Sequence, residues 1–244
     1  MFPFFDGLMH VEIIYEDNSV LVVNKPPGIA VIPERDAALP SLLKKLEKRY
    51  EKLFVVHRID KDTSGVVCFA KTDSAHKILN EQFEKHNVRK FYKAIVQGKM
   101  MNKEGQVRFP INIHPTKPNR MVTHPKGKPS LTHFQVEEEF KHASLLNVEI
   151  KTGRTHQVRV HLAAIGNPLL VDETYANTTG FYLSTIKKNY KPAGEEKPVI
   201  TRLTLHASEL HFYHPVTNEV VICKSEMPED LQIVLKLLRK WDAK

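Results

Sequence analysis

Cysteine is nearly absent from the chain. Cys68 and Cys223 are the only two among 244 residues, and they lie far apart. Such a pair makes neither a disulfide scaffold nor a zinc site of the paired-cysteine type. Glycine and proline are sparse as well, at 10 and 15, which excludes a long disordered or repetitive region. No apolar run approaches the ~18 residues that a membrane-spanning helix needs. The opening segment MFPFFDGLMH is apolar, yet no Lys or Arg occurs before Lys25, so the charged start of a signal peptide is missing. A cytoplasmic location is therefore expected. Acidic residues are the scarcer charge, 28 Asp+Glu against 36 Lys+Arg, a formal net charge of +8. With 41% hydrophobic and 26% charged residues the balance is globular, in a chain long enough to bury a substantial core.

The cation excess is local. Between Lys85 and Ser130 stand eleven Lys and Arg residues and one acid, Glu104, so this stretch alone carries +10. A polyanion is the natural partner of such a segment, and nucleic acid the commonest one. The plainer alternative is a solvated basic face. Pro110, Pro115, Pro118 and Pro125 interrupt the stretch, so it is not one amphipathic helix lying on a membrane.

Strand-like runs separated by turns dominate the pattern. VEIIY (11–15) and VLVVN (20–24), joined through Glu16-Asp17-Asn18-Ser19, predict a β-hairpin that ends at Lys25-Pro26-Pro27-Gly28. A helix is expected from Pro40-Ser41 to about Lys52, with Leu42, Leu43 and Leu46 on one face. LFVV (53–56) and VVCFA (66–70) read as buried strands around a polar loop, HRIDKDTSG (57–65). Asp73-Ser74 reads as the cap of a helix to about Glu84, with Ile78, Leu79 and Phe83 inward. KFYKAIVQG (90–98) reads as a strand, followed by strands near 130–138 and 145–151 and a helix near 154–164 ending at Gly166. Val220–Cys223 reads as a last strand and Pro228–Trp241 as an amphipathic helix, while KKNYKPAGEEK (187–197) reads as an exposed loop. Strands outnumber helices without alternating with them. The expected class is α+β, a single domain over 1–244 with its core at about 11–223 and a mixed, largely antiparallel central sheet.

Two segments could carry chemistry. The loop 57–65 packs two carboxylates beside two cations between buried strands, where a scaffold holds reactive groups; a turn with Asp62 and Thr63 satisfying backbone amides is the alternative. A kinase catalytic loop needs Asp directly after Arg, and a nucleophile elbow needs a glycine before the serine, so both of those readings fail. The second segment, TGRTHQVRVHL (152–162), holds Arg154, Arg159 and two histidines with no acid. On a helix Thr155, Arg159 and Leu162 share a face, but His156 and His161 are five apart, a spacing that does not pair metal ligands. An anion contact, a buried carboxylate or an exposed basic face all remain open for it. No metal site is expected.

The run HRIDKDTSG strongly resembles the central motif of the RluA-type RNA pseudouridine synthases. Further segments resemble that family's motifs in the same order: VVNKPPGIAV (22–31), KFYKAIVQG (90–98), TGRTHQVRVHLAAIGNPLLVDETY (152–175) and LHASELHFYHP (205–215). The resemblance spans about residues 11–215. It implies an isomerase acting on uridine in ribosomal or transfer RNA, a bare catalytic domain with a basic catalytic cleft and no separate N-terminal RNA-binding module. It further implies that Asp60 is the catalytic aspartate, Tyr92 the tyrosine that packs on the target base, and Arg159 the cation that pairs with the aspartate. Leu205 would line the pocket, Arg58 would fill the space left by the flipped nucleotide, and Arg154 would be a second cation near the site. RNA is the implied partner, with no membrane, no obligatory protein partner and a monomeric state.

The chemistry is consistent with this residue set. Isomerisation breaks the C1′–N1 bond, rotates the uracil and closes a C1′–C5 bond, so neither redox chemistry nor a cofactor is required. One carboxylate suffices, as a nucleophile at C1′ or as a base at the 2′ proton. The target base must leave its stack, at a few kcal/mol, which stacking on an aromatic partly offsets, by about 1–3 kcal/mol. A catalytically inactive RNA-binding or assembly protein on the same scaffold is one alternative. A different glycosidic enzyme, releasing free uracil, is the other.

Overall fold

A computed structural model describes residues 4–5, 8–9, 11–34 and 39–243. In chain order the first elements are β1 (Phe4–Phe5), β2 (Leu8–Met9), β3 (Glu12–Glu16), β4 (Val20–Lys25), α1 (Leu42–Leu46), β5 (Phe54–Val55), β6 (Ser64–Ala70), α2 (Asp73–Glu84) and β7 (Arg89–Gln97). There follow β8 (Glu104–Val107), β9 (Ile111–Ile113), β10 (Met121–Thr123), β11 (Thr132–Glu139), β12 (Ala143–Ile150), α3 (Gln157–Ala164), β13 (Leu205–Tyr213), β14 (Val220–Lys224) and α4 (Glu229–Trp241). The α+β class and the mixed, mainly antiparallel sheet agree with expectation. Every described strand register is antiparallel, beside one isolated parallel bridge from Ala30 to Ser41. The residues cluster into two units, Met1–Lys90 with Ala207–Glu226 and Phe91–His206 with Met227–Lys244, so that β7 and β13 each contribute residues to both.

In the first unit the strand order is β3-β4-β6-β13, with β14 on β13 and β5 on β6. β6 is buried at all seven positions, as its unbroken apolar run requires of a central strand. Its Gly65 has φ 117°, and a Cβ there would stand 2.0 Å from the Ala207 carbonyl oxygen, so the glycine is what lets the two backbones meet. Val20, Val22, Val66, Cys68, Leu79, Leu210 and Phe212 form the core. Two expectations need correction here. α1 stops at Leu46, because the residues from Glu47 to Lys52 present no further apolar face. The cap of α2 is Thr72, whose Oγ1 accepts from Ala75 N at 3.2 Å, and Ile78 is 40% exposed. Adjacent residues on a helix diverge by about 100°, and α2 turns Leu79 into the core while Ile78 lies toward solvent.

In the second unit β7-β12-β11-β8 follow one another, and β9 and β10 form a separate hairpin. Ile95, Phe140, Leu145 and Val171 pack with Leu231, Val234, Leu235 and Leu238 of α4. Acids in the first turn of α4 and cations in the last suit its macrodipole. The sequence pattern does not predict β8, β9, β10 and β13 as strands: three are short pieces in the proline-broken basic stretch, and β13 lies within the segment LHASELHFYHP. α3 begins at Gln157, later than the expected 154, because His156 sits at φ 55°, outside helical space. It ends as expected, with Gly166 at φ 87° and its amide bonded to Ala163 O at 3.1 Å.

Candidate active site

The first unit holds the HRIDKDT loop from beneath. Lys25, at the end of β4, is fully buried, and its Nζ donates to the carbonyls of Pro26 (2.9 Å), Ile29 (2.8 Å) and Lys61 (2.7 Å). Gly28 N donates to the same Lys61 carbonyl at 3.0 Å, so the Lys61–Asp62 peptide is fixed by two donors. Thr63 N donates to Asp60 O at 3.1 Å and closes the turn. Asp60 is half-buried and Arg58 is exposed, while Ile59 between them is buried at 8% exposure. Thr63 is buried too, and its Oγ1 has no hydrogen-bond partner among the described residues. His57 anchors the start of the loop: its Nε2 accepts from Cys68 N at 3.0 Å, and its ring stacks on Phe83 at 4.7 Å. Loss of hydration, with Lys90 adding repulsion, pulls its pKa down to about 3, so the ring is a neutral structural acceptor.

The second unit carries Tyr92, Arg154, Arg159 and Leu205. Tyr92 lies on β7 and Leu205 on β13, both buried. All of α3 from Gln157 to Leu162 is buried, which removes the exposed basic helix as a reading. Arg159 meets a buried carboxylate, as one of the open alternatives held. Its Nε donates to Asp172 Oδ2 at 2.7 Å and its Nη2 to Oδ1 at 2.9 Å, a bidentate pair with Asp172 fully buried. Oδ1 also accepts from Thr174 N (2.9 Å) and Tyr175 N (3.1 Å), so the carboxylate is locked before it grips the arginine. Arg154 is held differently, its Nε donating to the Pro129 carbonyl at 3.2 Å.

Around α3 the polar groups satisfy one another. The Gln157 amide makes four bonds: Oε1 accepts from Thr152 Oγ1 (2.7 Å) and Arg154 N (3.0 Å), and Nε2 donates to Leu131 O and Thr132 Oγ1, both at 3.0 Å. One turn on, His161 lies between Thr132 Oγ1 (2.9 Å) and Phe109 O (2.8 Å), with its pKa lowered by burial. These bonds fix the helix that presents Arg159. Among the described residues no three His, Cys, Asp or Glu side chains are grouped as a metal ion requires, and no helix is long and apolar enough to cross a membrane.

Sequence reasoning assigned no role to Asp172, Tyr175, His156, Gln157 or Lys25, although each lies inside a segment already singled out. The first acid after TGRTHQVRVHL, Asp172, followed three residues later by Tyr175, is the available signal. A buried lysine beside two prolines offered none.

The fold, with its pinned carboxylate loop and its buried arginine fork, has a match among known families. Residues 19–164 fit the family model of RNA pseudouridylate synthases, and the chain belongs to that family of isomerases. It is 35% identical over 230 residues to an uncharacterised RNA pseudouridine synthase of Bacillus subtilis, covering 91% of this chain and 70% of that protein. It is 36% identical over 239 residues to the ribosomal large subunit pseudouridine synthase D of Pasteurella multocida, covering 94% and 71%. Among solved structures, human RNA pseudouridylate synthase domain containing 1 superposes with a TM-score of 0.72 at 25% identity, covering 99% of this chain and 100% of that one.

Proposed function

We propose that this chain isomerises specific uridines of ribosomal RNA to pseudouridine, with Asp60 as the catalytic carboxylate and the target base flipped out of its helix. The observation that carries the reading is the loop itself, since the backbone at and just after Asp60 is tied down, Asp60 O by Thr63 N and Lys61 O by Lys25 Nζ and Gly28 N. A carboxylate on a fixed backbone suits attack on, or proton removal from, one ribose. Relatives bearing large-subunit ribosomal names support ribosomal over transfer RNA. Tyr92 stacks on the uracil, Arg159 orients the aspartate, Leu205 lines the pocket, and Arg58 occupies the gap in the helix, with Arg154 nearby. The two units act as one catalytic domain, as a monomer, and need no cofactor.

The test is tritium release from an in vitro transcript of large-subunit ribosomal RNA labelled at uracil C5. The wild-type chain is expected to release tritium without freeing uracil. Asp60→Asn should lose more than about a thousandfold in single-turnover rate while binding the transcript as before. Free uracil would indicate a glycosidic hydrolase, and binding without tritium release an inactive RNA-binding protein. Substantial turnover by Asp60→Asn would remove the aspartate from its role.

A further inference from the structure

Tyr175 touches the candidate site on one side and the basic stretch on the other. Its amide shares the Asp172 carboxylate with Arg159, and the Arg159 guanidinium lies over its ring at 5.0 Å. The Arg120 guanidinium also lies over the ring, at 5.4 Å. Its hydroxyl accepts from Met121 N at 2.8 Å and shares a 2.9 Å hydrogen bond with His156 Nδ1, the residue held at positive φ at the start of α3. Arg120 and Met121 are the return of the β9–β10 hairpin, and just before β9 the Phe109 carbonyl meets His161 of α3 at 2.8 Å.

Cations stand at both ends of that hairpin, Lys117 in its turn and Lys126 and Lys128 in the segment after β10, where Lys128 pairs with Ile111. From Gly105 to Val136 there are five cations, Arg108, Lys117, Arg120, Lys126 and Lys128, and no acid. Lys117, Lys126 and Lys128 are exposed, and none of the three forms an ion pair among the described residues. Phosphates bound there would fix the hairpin, and the hairpin ends on Tyr175.

We propose that Tyr175 is a positioning residue that couples the hairpin's grip on RNA phosphates to the working orientation of Arg159. The proposal rests on the reading of this chain as acting on RNA. Two contacts of one side chain transmit the position, the hydroxyl through Met121 N and the ring through the stacked guanidinium of Arg120.

The experiment compares wild type, Tyr175→Phe, a triple variant (Lys117→Ala, Lys126→Ala, Lys128→Ala) and their combination on the C5-tritiated large-subunit ribosomal RNA transcript. Affinity and the single-turnover rate at saturating RNA are both measured. The triple variant should weaken binding about tenfold or more and also slow the saturated rate about fivefold. Tyr175→Phe keeps the ring but loses the hydroxyl, and should slow the saturated rate about tenfold with affinity within about threefold. In the combination binding stays weak, yet the rate should fall no further than in Tyr175→Phe alone. Rate losses that multiply overturn the proposal, as does a Tyr175→Phe rate equal to wild type. Arg120→Lys, which keeps the charge and loses the flat stack, provides the same cycle if Tyr175→Phe does not fold. A separate arm distinguishes failure of the parent reading. If wild type releases no tritium, exchange of the Arg159 Nε–H is followed with and without the transcript. Protection by RNA in wild type but not in Tyr175→Phe supports the coupling, and equal or absent protection overturns it.

Discussion

A fully buried carboxylate and guanidinium at 2.7 and 2.9 Å are costly to desolvate and costlier still to leave unpaired. Asp172→Asn removes the charge that holds Arg159 while keeping the shape. It should cost about 3–5 kcal/mol of stability, read from urea melts, and slow the single-turnover rate at least about tenfold with little change in RNA affinity. Unchanged stability and rate would make the pair incidental. The fork predicts that Arg159→Lys is a poor substitute, since a single ammonium does not reproduce the two parallel bonds to both carboxylate oxygens. The family resemblance implies Arg159 as the partner of Asp60, whereas the carboxylate that grips it in the fork is Asp172. Asp172 was invisible because nothing in the order of residues says which buried acid a helix will face.

At the level of strands and loops, the β4 end acts as a bracket for the segment that bears Asp60. Lys25 Nζ satisfies three backbone carbonyls that no other described donor replaces, apart from the Gly28 amide at Lys61 O. Lys25→Met keeps the buried stem but orphans those acceptors, and a loss of about 2–4 kcal/mol is expected. Amide exchange should rise first in residues 57–63 if the bracket is local. A uniform rise over the first unit would instead mark Lys25 as an ordinary core residue. The sequence placed the strand end here correctly but took Lys25-Pro26-Pro27-Gly28 only as a stop. A lysine reads as a surface residue until three carbonyls are seen to converge on it.

Across the chain as a whole, two histidines held neutral, His57 and His161, contribute to the response to acid. His57 has its pKa drawn down to about 3 and His161 is also lowered, both by burial first. In the unfolded chain each titrates near about 6.5, so below that pH the unfolded state takes up protons that the folded state refuses. Stability from these groups is therefore complete above pH ~6.5 and declines as pH falls from there toward the folded values, by at most about 1.4 kcal/mol per pH unit for each. Melts at pH 7.5 and 5.5 should show this loss before most carboxylates titrate, and His57→Gln should flatten it. A melting temperature independent of pH over that interval would contradict the burial of both rings.

Short-range order in the chain was enough to predict the first hairpin, the buried strand at 66–70, the stop at Gly166 and the amphipathic helix at the C-terminus. Each depends on neighbours within a few residues, where period, caps and breakers act directly. The same short-range pattern isolated the HRIDKDTSG loop, and with it Asp60, Arg58 and the resemblance to the synthases. It did not reveal that Thr72 rather than Asp73 caps α2, since both are good caps and packing chooses between them. Nor could it show that residues 109, 120, 121, 132, 156, 172 and 175 converge around α3. Those contacts span long stretches of chain, 54 positions between Met121 N and the Tyr175 hydroxyl. They exist because a buried polar group must find a partner wherever the backbone has brought one, and only the folded path of the chain determines which one that is.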